Sequence, residues 1–229
     1  MCCFRIFYSY YPFLTVKVRG IKYCTFFFIQ EKMSSYLLKF MGIDLAGKEE
    51  KPTGWAVIDN NLSLWTEPGE VFGNLEIIEK VREIRPEWIG IDAPLSFPRG
   101  KDKMRLCDKK LRQFGSPALS PFFLSSLVKR GMEIARILKD EGYKYIEVYP
   151  RATQKILNIK TEGKKPGKSW CISCQREISK LLRGILPPEK KVYSSHALDA
   201  ILCAYTAYCR WKGNYREIGG EEGKVVVPC

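Results

Sequence analysis

Apolar and polar residues alternate along the chain with two different periods, which separate predicted strands from predicted helices. Short apolar runs bounded by turn residues predict strands over residues 36–45, 53–59, 62–65, 88–92 and 143–149. Asp59-Asn60-Asn61 supplies the turn chemistry between the second and third of these strands. Leu75, Ile78, Val81 and Ile84 recur at helical spacing and predict a helix that leads to the fourth strand.

The rest of the chain is predicted to be mainly helical. Apolar spacing and Pro/Gly punctuation predict helices over residues 103–114, 124–141, 150–158, 171–183 and 195–211, and strands over 215–218 and 224–227. This order of elements predicts one α/β domain with a mixed sheet. The first two of these helices form an insertion between the fourth and fifth strands.

Three aspartates stand in places where a carboxylate is costly. Asp44 and Asp92 each end an apolar strand, and Asp199 lies within the apolar helix that begins near Ser195. An ionised carboxylate among Ile, Leu and Ala costs several kcal/mol unless it is paired or coordinates a cation. The three together therefore indicate one shared metal site of the kind that nucleases use.

A simpler interpretation is that Asp44 and Asp92 only cap the turns after their strands, as Asp commonly does. Asp199 fits that interpretation less well, because apolar residues surround it in sequence and predict burial on most of the helix circumference. A single buried Asp needs a partner, so the trio remains the stronger hypothesis.

The charge of the chain favours an anionic partner. The 229 residues carry a formal net charge of +13, with 45% hydrophobic and 28% charged residues, an ordinary balance for a globular domain. A nucleic-acid backbone is the simplest partner for such a chain, and a generally basic surface is the alternative.

The first forty residues differ from the remainder. They hold 12 of the 29 aromatic residues, six basic residues and one acid, and no apolar run reaches the roughly 18 residues of a membrane span. We expect residues 1–32 to be a non-native or disordered leader, with translation starting at Met33 or Met41, and residues 33–229 to be the single domain. An intact mass that includes the leader would contradict this. Without residues 1–40 the net charge is still +8 (32 basic and 24 acidic residues).

The nine cysteines have irregular spacing and predict reduced thiols in a cytoplasmic protein. Cys171 and Cys174 have the spacing of half a zinc knuckle. The sequence has no second Cys-x-x-Cys pair and only one histidine to complete the four ligands of a zinc site, so such a site is disfavoured.

Other polar residues are secondary candidates for the site. Glu147 ends the fifth strand and could be a fourth ligand, a residue that orients a ligand, or a partner of Arg151. His196 lies three residues before Asp199, on the same helix face, where it could orient a carboxylate, move a proton or only satisfy a local hydrogen bond.

Two basic groups could contact phosphates. Arg105, Asp108 and Arg112 share a predicted helix face, which suits either phosphate binding or an internal salt-bridge set. A lysine-rich loop next to Trp170 could follow a nucleic-acid backbone or could simply be solvated; its lysines are Lys160, Lys164, Lys165 and Lys168.

The order of these motifs resembles the RNase H-like superfamily. Gly42-Ile-Asp-Leu-Ala-Gly47 with Thr53-Gly-Trp-Ala-Val-Ile58 is similar to the first hairpin of Holliday-junction resolvases, and His196-Ala-Leu-Asp-Ala200 to their last acidic helix. A closer resemblance is to domain-of-unknown-function family 429, a group of predicted nucleases. Its pattern is echoed in Gly90-Ile-Asp-Ala-Pro-Leu95, Arg105-Leu-Cys-Asp108, Ile146-Glu-Val-Tyr-Pro150 and Gly223-Lys-Val-Val-Val-Pro228.

The resemblance implies an RNase H-like mixed five-stranded sheet flanked by helices, with the first and fourth strands side by side. Asp44, Asp92 and Asp199 would then be catalytic ligands of Mg²⁺ or Mn²⁺ in a nuclease. The alternatives are a nucleic-acid- or partner-binding module without turnover, and nucleotide phosphoryl chemistry as in actin-like relatives. The latter use two such domains, and this chain has room for one.

Overall fold

The structure, a computed structural model, describes residues 37–115 and 118–229, together with the short antiparallel strands Lys17–Val18 and Ile21–Lys22. The chain divides into two compact units, Met1–Leu37 and Leu38–Cys229. The expectation of a leader over residues 1–32 falls on the first unit and lies largely outside the described residues. Among the helices of the described part, none is long and apolar enough to cross a membrane.

One mixed sheet of seven strands forms the centre of the second unit. The strands are β1 (Lys39–Asp44), β2 (Thr53–Asp59), β3 (Gly69–Val71), β4 (Trp88–Asp92), β5 (Tyr145–Val148), β6 (Tyr215–Gly220) and β7 (Gly223–Pro228). Their order is β3-β2-β1-β4-β5-β7-β6. Strands β1, β4, β5 and β7 pair in parallel, and β2, β3 and β6 join as antiparallel neighbours.

The α/β class and the mixed sheet are confirmed, but the sheet has seven strands where the resemblance implied five. The predicted strand over residues 62–65 is wrong: Leu64 forms only an isolated bridge with Ile58, and the third strand is β3. The reason is local. The Asp59 carboxylate accepts hydrogen bonds from the backbone N–H groups of Asn61 and Ser63, which closes a tight turn with Leu62 at a positive φ of 57°.

Six helices flank the sheet in the described residues: α1 (Gly73–Ile84), α2 (Leu106–Lys110), α3 (Ser125–Asp140), α4 (Pro150–Ile156), α5 (Lys168–Ser179) and α6 (Ser195–Lys212). A 3₁₀ turn, Leu111–Phe114, follows α2, so α2 and α3 form the predicted insertion between β4 and β5. Leu75 is 67% exposed, and Ile77 takes the buried position expected for it in α1.

Each face of the sheet is covered by different helices. Met41, Ile43 and Ile91 pack on the side of α1 and α3, whereas Phe40, Ile146 and Val148 pack with α6. Alternation along β1 and β4 therefore sends the side chains of Asp44 and Asp92 to the α6 side.

Helix α6 lies directly on the sheet backbone because glycines on three neighbouring strands leave room for it. A Cβ on Gly42 would lie 1.8 Å from the Ala200 carbonyl oxygen, and a Cβ on Gly90 would lie 2.4 Å from the Cys203 carbonyl oxygen. A Cβ on Gly54 would lie 2.3 Å from the carbonyl oxygen of His196. No larger residue fits at these points without moving the helix.

Candidate metal centre

Two of the three aspartates meet because their strands are parallel neighbours. Asp44 and Asp92 are register partners at the carboxyl ends of β1 and β4, and Gly54 of β2 lies opposite Asp44 on its other side. Register partners of a parallel pair point to the same face of the sheet. The pairing also confirms that these two strands lie side by side, as the resemblance implied.

The third aspartate comes from α6. Ser194 caps this helix by accepting a hydrogen bond from Ala197 N–H. The first turn lies against β2, where a Cβ on Gly54 would lie 2.3 Å from the His196 carbonyl oxygen. The close approach allowed by the strand glycines brings Asp199 to the other two acids. One carboxylate oxygen from each of Asp44, Asp92 and Asp199 lies within 4.8 Å of the other two.

The electrostatics of this trio favour a bound cation. Burial, together with the charges of Asp44 and Asp199, raises the pKa of Asp92 well above its usual value. Burial raises the pKa of Asp199 to about 6, although the charge of Lys165 acts in the opposite direction. Oδ1 of Asp199 is buried and has no hydrogen-bond partner among the described residues. Three carboxylate oxygen donors gathered at one point suit a hard divalent ion such as Mg²⁺ or Mn²⁺.

A lysine from the loop before α5 reaches the trio. The Lys165 ammonium pairs with Oδ2 of Asp199, and its Nζ lies 5.4 Å from the centre of the Trp170 ring. Burial lowers the pKa of Lys165, but the attraction of Asp199 outweighs it and the net direction is upward. From the sequence, Lys165 was expected either to follow a nucleic-acid backbone or to be solvated, and its contact with Asp199 was not expected. The neighbouring Lys164 and Lys168 are exposed.

His196 contacts the site from its rim. Its Nδ1 lies 2.6 Å from Oδ2 of Asp44, and its side chain is 45% exposed. This hydrogen bond raises the pKa of His196 above its ordinary value. His196 therefore holds one oxygen of Asp44 in a fixed direction, which is one of the roles expected from its position in the helix.

The secondary candidate Glu147 belongs to a different cluster. It is the register partner of Ile91, so its side chain points away from the trio, to the opposite face of the sheet. Arg105 Nη2 donates to Glu147 Oε1 at 2.6 Å and to Asp108 Oδ1 at 2.7 Å, and Leu95 N–H donates to Glu147. Arg105 is the partner of Glu147, whereas Arg151 is exposed.

The sequence left two interpretations of Arg105, Asp108 and Arg112, phosphate binding and an internal salt-bridge set. These contacts support the internal salt-bridge set. Arg105 and Asp108 are 1% and 2% exposed, whereas Arg112 is exposed. Cys107, Asp108 and Glu147 also come close enough to hold an ion. The Arg105 guanidinium already neutralises both acids, and burial raises the pKa of Cys107 to about 12, so this cluster is a poor metal site.

The Cys171 and Cys174 pair is also unsuited to zinc. Both thiols are buried on α5, and burial raises the pKa of Cys174 to about 12. Zinc binds the thiolate, which these surroundings disfavour. No metal-ligand group found within residues 37–115 and 118–229 includes either cysteine.

The glycines that admit α6 are functional residues that sequence reasoning passed over. A signal for them exists, since Gly42 and Gly90 each stand two residues before a ligand candidate within an apolar strand. Glycine inside a strand often marks the close approach of another backbone. Each of these strands therefore carries both a candidate metal ligand and, two residues earlier, a glycine that leaves space for α6.

Comparison with known protein families matches residues 42–223 to the family described as "Protein of unknown function (DUF429)". The match extends from β1 to the start of β7 and includes the three aspartates, His196 and Lys165. A search of curated proteins gives no match. Because the matched segment covers most of the sequence, this chain belongs to the DUF429 family.

Proposed function

We propose that this protein is a divalent-metal-dependent nuclease with an RNase H-like fold, which hydrolyses phosphodiester bonds of nucleic acid. The observation that carries the proposal is the convergence of Asp44, Asp92 and Asp199, whose oxygens come within 4.8 Å of one another. Asp199 contributes an oxygen that is buried without a partner. Structural roles alone do not account for three acids collected at one point, because their mutual repulsion destabilises the fold.

The three aspartates would hold Mg²⁺ or Mn²⁺, which would activate water and stabilise the charge that develops on a phosphodiester. His196 keeps Asp44 oriented through the hydrogen bond to its Oδ2. Helix α6 keeps Asp199 in a largely dry position, since its neighbours Leu198, Ala200 and Cys203 are fully buried. No protein nucleophile is needed for this chemistry.

The charge of the chain supports nucleic acid as the substrate. The formal charge is +13. Lys164 is exposed on the loop that carries Lys165 to the trio, and Lys168 is exposed at the start of α5. A phosphate backbone that approaches the metal centre would meet these cations. A cytoplasmic location, inferred from the cysteine content, remains part of the proposal.

The second candidate function is a nucleic-acid- or partner-binding module without turnover. The ion pair between Lys165 and Asp199 favours it, because an ammonium group neutralises one acid of the trio without any metal. Cleavage assays separate the two functions.

The test uses the full chain with labelled single strands, duplexes, RNA–DNA hybrids and junctions, in Mn²⁺, Mg²⁺ or EDTA. We expect metal-dependent cleavage that falls at least about 100-fold in Asp44→Asn and in Asp199→Asn. Asp140→Asn is the matched control, because it removes a carboxylate that is 63% exposed and paired with Arg136. Equal cleavage by wild type and the site variants would indicate a contaminating nuclease. Tight binding without cleavage would favour the binding module.

A further inference from the structure

Three large apolar side chains in the segment before α3 are exposed to solvent. Leu119 is 62% exposed, Phe122 54% and Phe123 87%. We call Leu119, Phe122 and Phe123 the apolar platform. Three such residues in a five-residue stretch differ from single exposed apolar residues, which are normal on a protein surface.

The apolar platform lies beside the loops that leave the two ligand-bearing strands. The ring of Phe122 packs against that of Phe97, in the loop after Asp92, with 5.7 Å between ring centres. A Cβ on Gly47, in the loop after Asp44, would lie 3.4 Å from Oγ of Ser126. The platform is thus attached to the carboxyl edge of β1 and β4, where the carboxylate trio lies.

Exposed cations accompany the apolar platform. Ser120 Oγ donates to the Lys103 carbonyl oxygen at 2.5 Å, which joins the platform to the basic loop after β4. Residues 97–129 hold eight basic and two acidic side chains, a net charge of +6. The exposed basic residues of this segment are Arg99, Lys101, Lys103, Lys109, Lys110, Arg112 and Lys129.

Exposed aromatic rings among exposed cations, of which only Arg99 and Lys109 have an acidic partner in the described residues, fit a single-stranded nucleic acid better than a duplex or a protein. Phosphates of either nucleic-acid form would pair with the cations, but only an unpaired base offers a free face to a phenylalanine ring. An apolar protein partner would leave the positive charges around the platform without counterparts.

We infer that the apolar platform stacks unpaired bases of a single strand and delivers that strand to the carboxylate trio. This inference rests on the proposed nuclease function and names its substrate class: single-stranded segments, free or within branched nucleic acid. Phe123, the most exposed ring, makes the principal stacking contact, and Phe122 supports it through its packing against Phe97.

The test is equilibrium binding of the full chain to fluorescein-labelled DNA and RNA, single-stranded or as a duplex of the same sequence, in EDTA so that no cleavage occurs. The wild type binds single strands more tightly than duplex. The double variant Phe122→Ala/Phe123→Ala loses about 10- to 100-fold in single-strand affinity and little in duplex affinity. Phe123→Trp retains tight binding, and Phe123→Leu, which keeps apolar area without a ring, does not.

Trp65→Ala is the matched control. Trp65 is an exposed aromatic, 38% accessible, with the Nζ of Lys39 4.7 Å from its ring, and Lys39 begins β1 at the edge opposite the trio. We expect this variant to bind single strands as the wild type does. Lys101→Gln/Lys103→Gln weakens both nucleic-acid forms and reduces the salt dependence, because these residues contact phosphates only.

The inference is overturned if the double alanine variant binds single strands as tightly as the wild type, if it loses affinity equally for duplex, or if the wild type binds no nucleic acid. Self-association of the wild type that Phe123→Ala abolishes would assign the platform to a second copy of the chain instead. The experiments distinguish failure of this inference from failure of the proposed function. If binding depends on the rings but no cleavage occurs, the nuclease proposal alone is refuted. If the double variant cleaves single strands with the same KM as the wild type, the stacking role of the platform alone is refuted.

Discussion

At the scale of single residues, the three carboxylates that would bind a metal also lower the stability of the metal-free protein. Asp44, Asp92 and Asp199 lie within 4.8 Å of one another, in surroundings that raise the pKa of Asp92 and Asp199. Without a metal, each acid is either protonated or repelled by the other two. The free energy of unfolding of the metal-free protein should therefore increase when one acid is neutralised.

Asp92→Asn tests this trade-off. We expect the variant to be more stable than the wild type by about 1–2 kcal/mol in EDTA at pH 8, because one repulsive charge is removed from the three closely spaced acids. Mn²⁺ should stabilise the wild type and leave the variant unchanged. Urea unfolding with and without Mn²⁺ measures both effects, with Asp140→Asn as the exposed control. A variant less stable than the wild type in EDTA would show that Asp92 has a structural role.

The raised pKa values also predict how pH affects the metal-free protein. The native carboxyl of Asp199 has a pKa of about 6, above that of an unfolded Asp, so the native state binds more protons. The stability that this group contributes is complete below the unfolded pKa of about 3.9 and is lost as the pH rises through about 6.

Metal affinity changes in the opposite direction and increases with pH, because the carboxylate ligands must be ionised to bind the metal. Melting curves between pH 5 and 8 should show stability falling with pH in EDTA and increasing stabilisation by Mn²⁺. A Mn²⁺ effect independent of pH would contradict this.

Lys165 supplies a third test of the trio. Its ammonium pairs with Asp199, and its side chain is 44% exposed, so it behaves as a cation that a metal can displace. Lys165→Gln should weaken the metal-free fold by about 1 kcal/mol and strengthen Mn²⁺ binding roughly tenfold. Calorimetric titration with Mn²⁺ measures the binding change, and Lys164→Gln, which alters an exposed neighbour, is the control. Weaker binding by the Lys165 variant would mean that the lysine helps to build the site.

Single residues were predictable from the sequence where local context identified them. An Asp at the end of an apolar strand or within an apolar helix is conspicuous by itself, which is how the trio was identified. The contact of Lys165 with the trio and the partner of Glu147 were not predictable. Lys165 is 34 positions from Asp199, and Arg105 is 42 from Glu147, so only the folded chain brings them together.

At the scale of elements, the close packing of α6 on β1, β2 and β4 determines the geometry of the site. Strand interiors and helices were predictable from apolar periodicity, because burial on one face determines both the period and the element. The segment over residues 62–65 was not, because the Asp59 side chain competes with strand pairing for the backbone N–H groups of Asn61 and Ser63.

Gly42→Ala tests the packing of α6. The new methyl group would lie 1.8 Å from the Ala200 carbonyl oxygen and 2.4 Å from Ala204 N, so the helix must move. We expect a loss of at least about 3 kcal/mol in stability and a loss of Mn²⁺ binding. Gly220→Ala is the control, because its methyl group meets only the end of the Leu106 side chain, at 3.4 Å. Thermal unfolding and Mn²⁺ titration of both variants provide the comparison, and near-wild-type behaviour of Gly42→Ala would mean that α6 can shift without cost.

At the scale of the whole molecule, the buried guanidinium of Arg105 links the helical insertion between β4 and β5 to the sheet. Arg105 joins Asp108 of α2 to Glu147 of β5, and its Nη1 donates to Ser96 Oγ in the loop after β4. The apolar platform lies farther along this insertion, so the position proposed for a bound strand depends on the same contacts. The sequence showed the charges of the insertion but could not show which of them are internal.

Arg105→Met removes the guanidinium that links the insertion to the sheet and keeps an unbranched apolar side chain in its place. Asp108 and Glu147 would remain as two buried carboxylates without a counter-ion, which should cost about 3–5 kcal/mol at pH 8. Burial already raises the pKa of Glu147 against the opposing effect of Arg105, so loss of the guanidinium raises it further. The variant should therefore be nearest to wild-type stability at acidic pH and fall behind as the pH rises. Urea unfolding at pH 5 and pH 8 measures this difference, with Arg112→Met, an exposed arginine of the same insertion, as the control. A deficit of equal size at both pH values would mean that Arg105 acts through packing rather than through its charge.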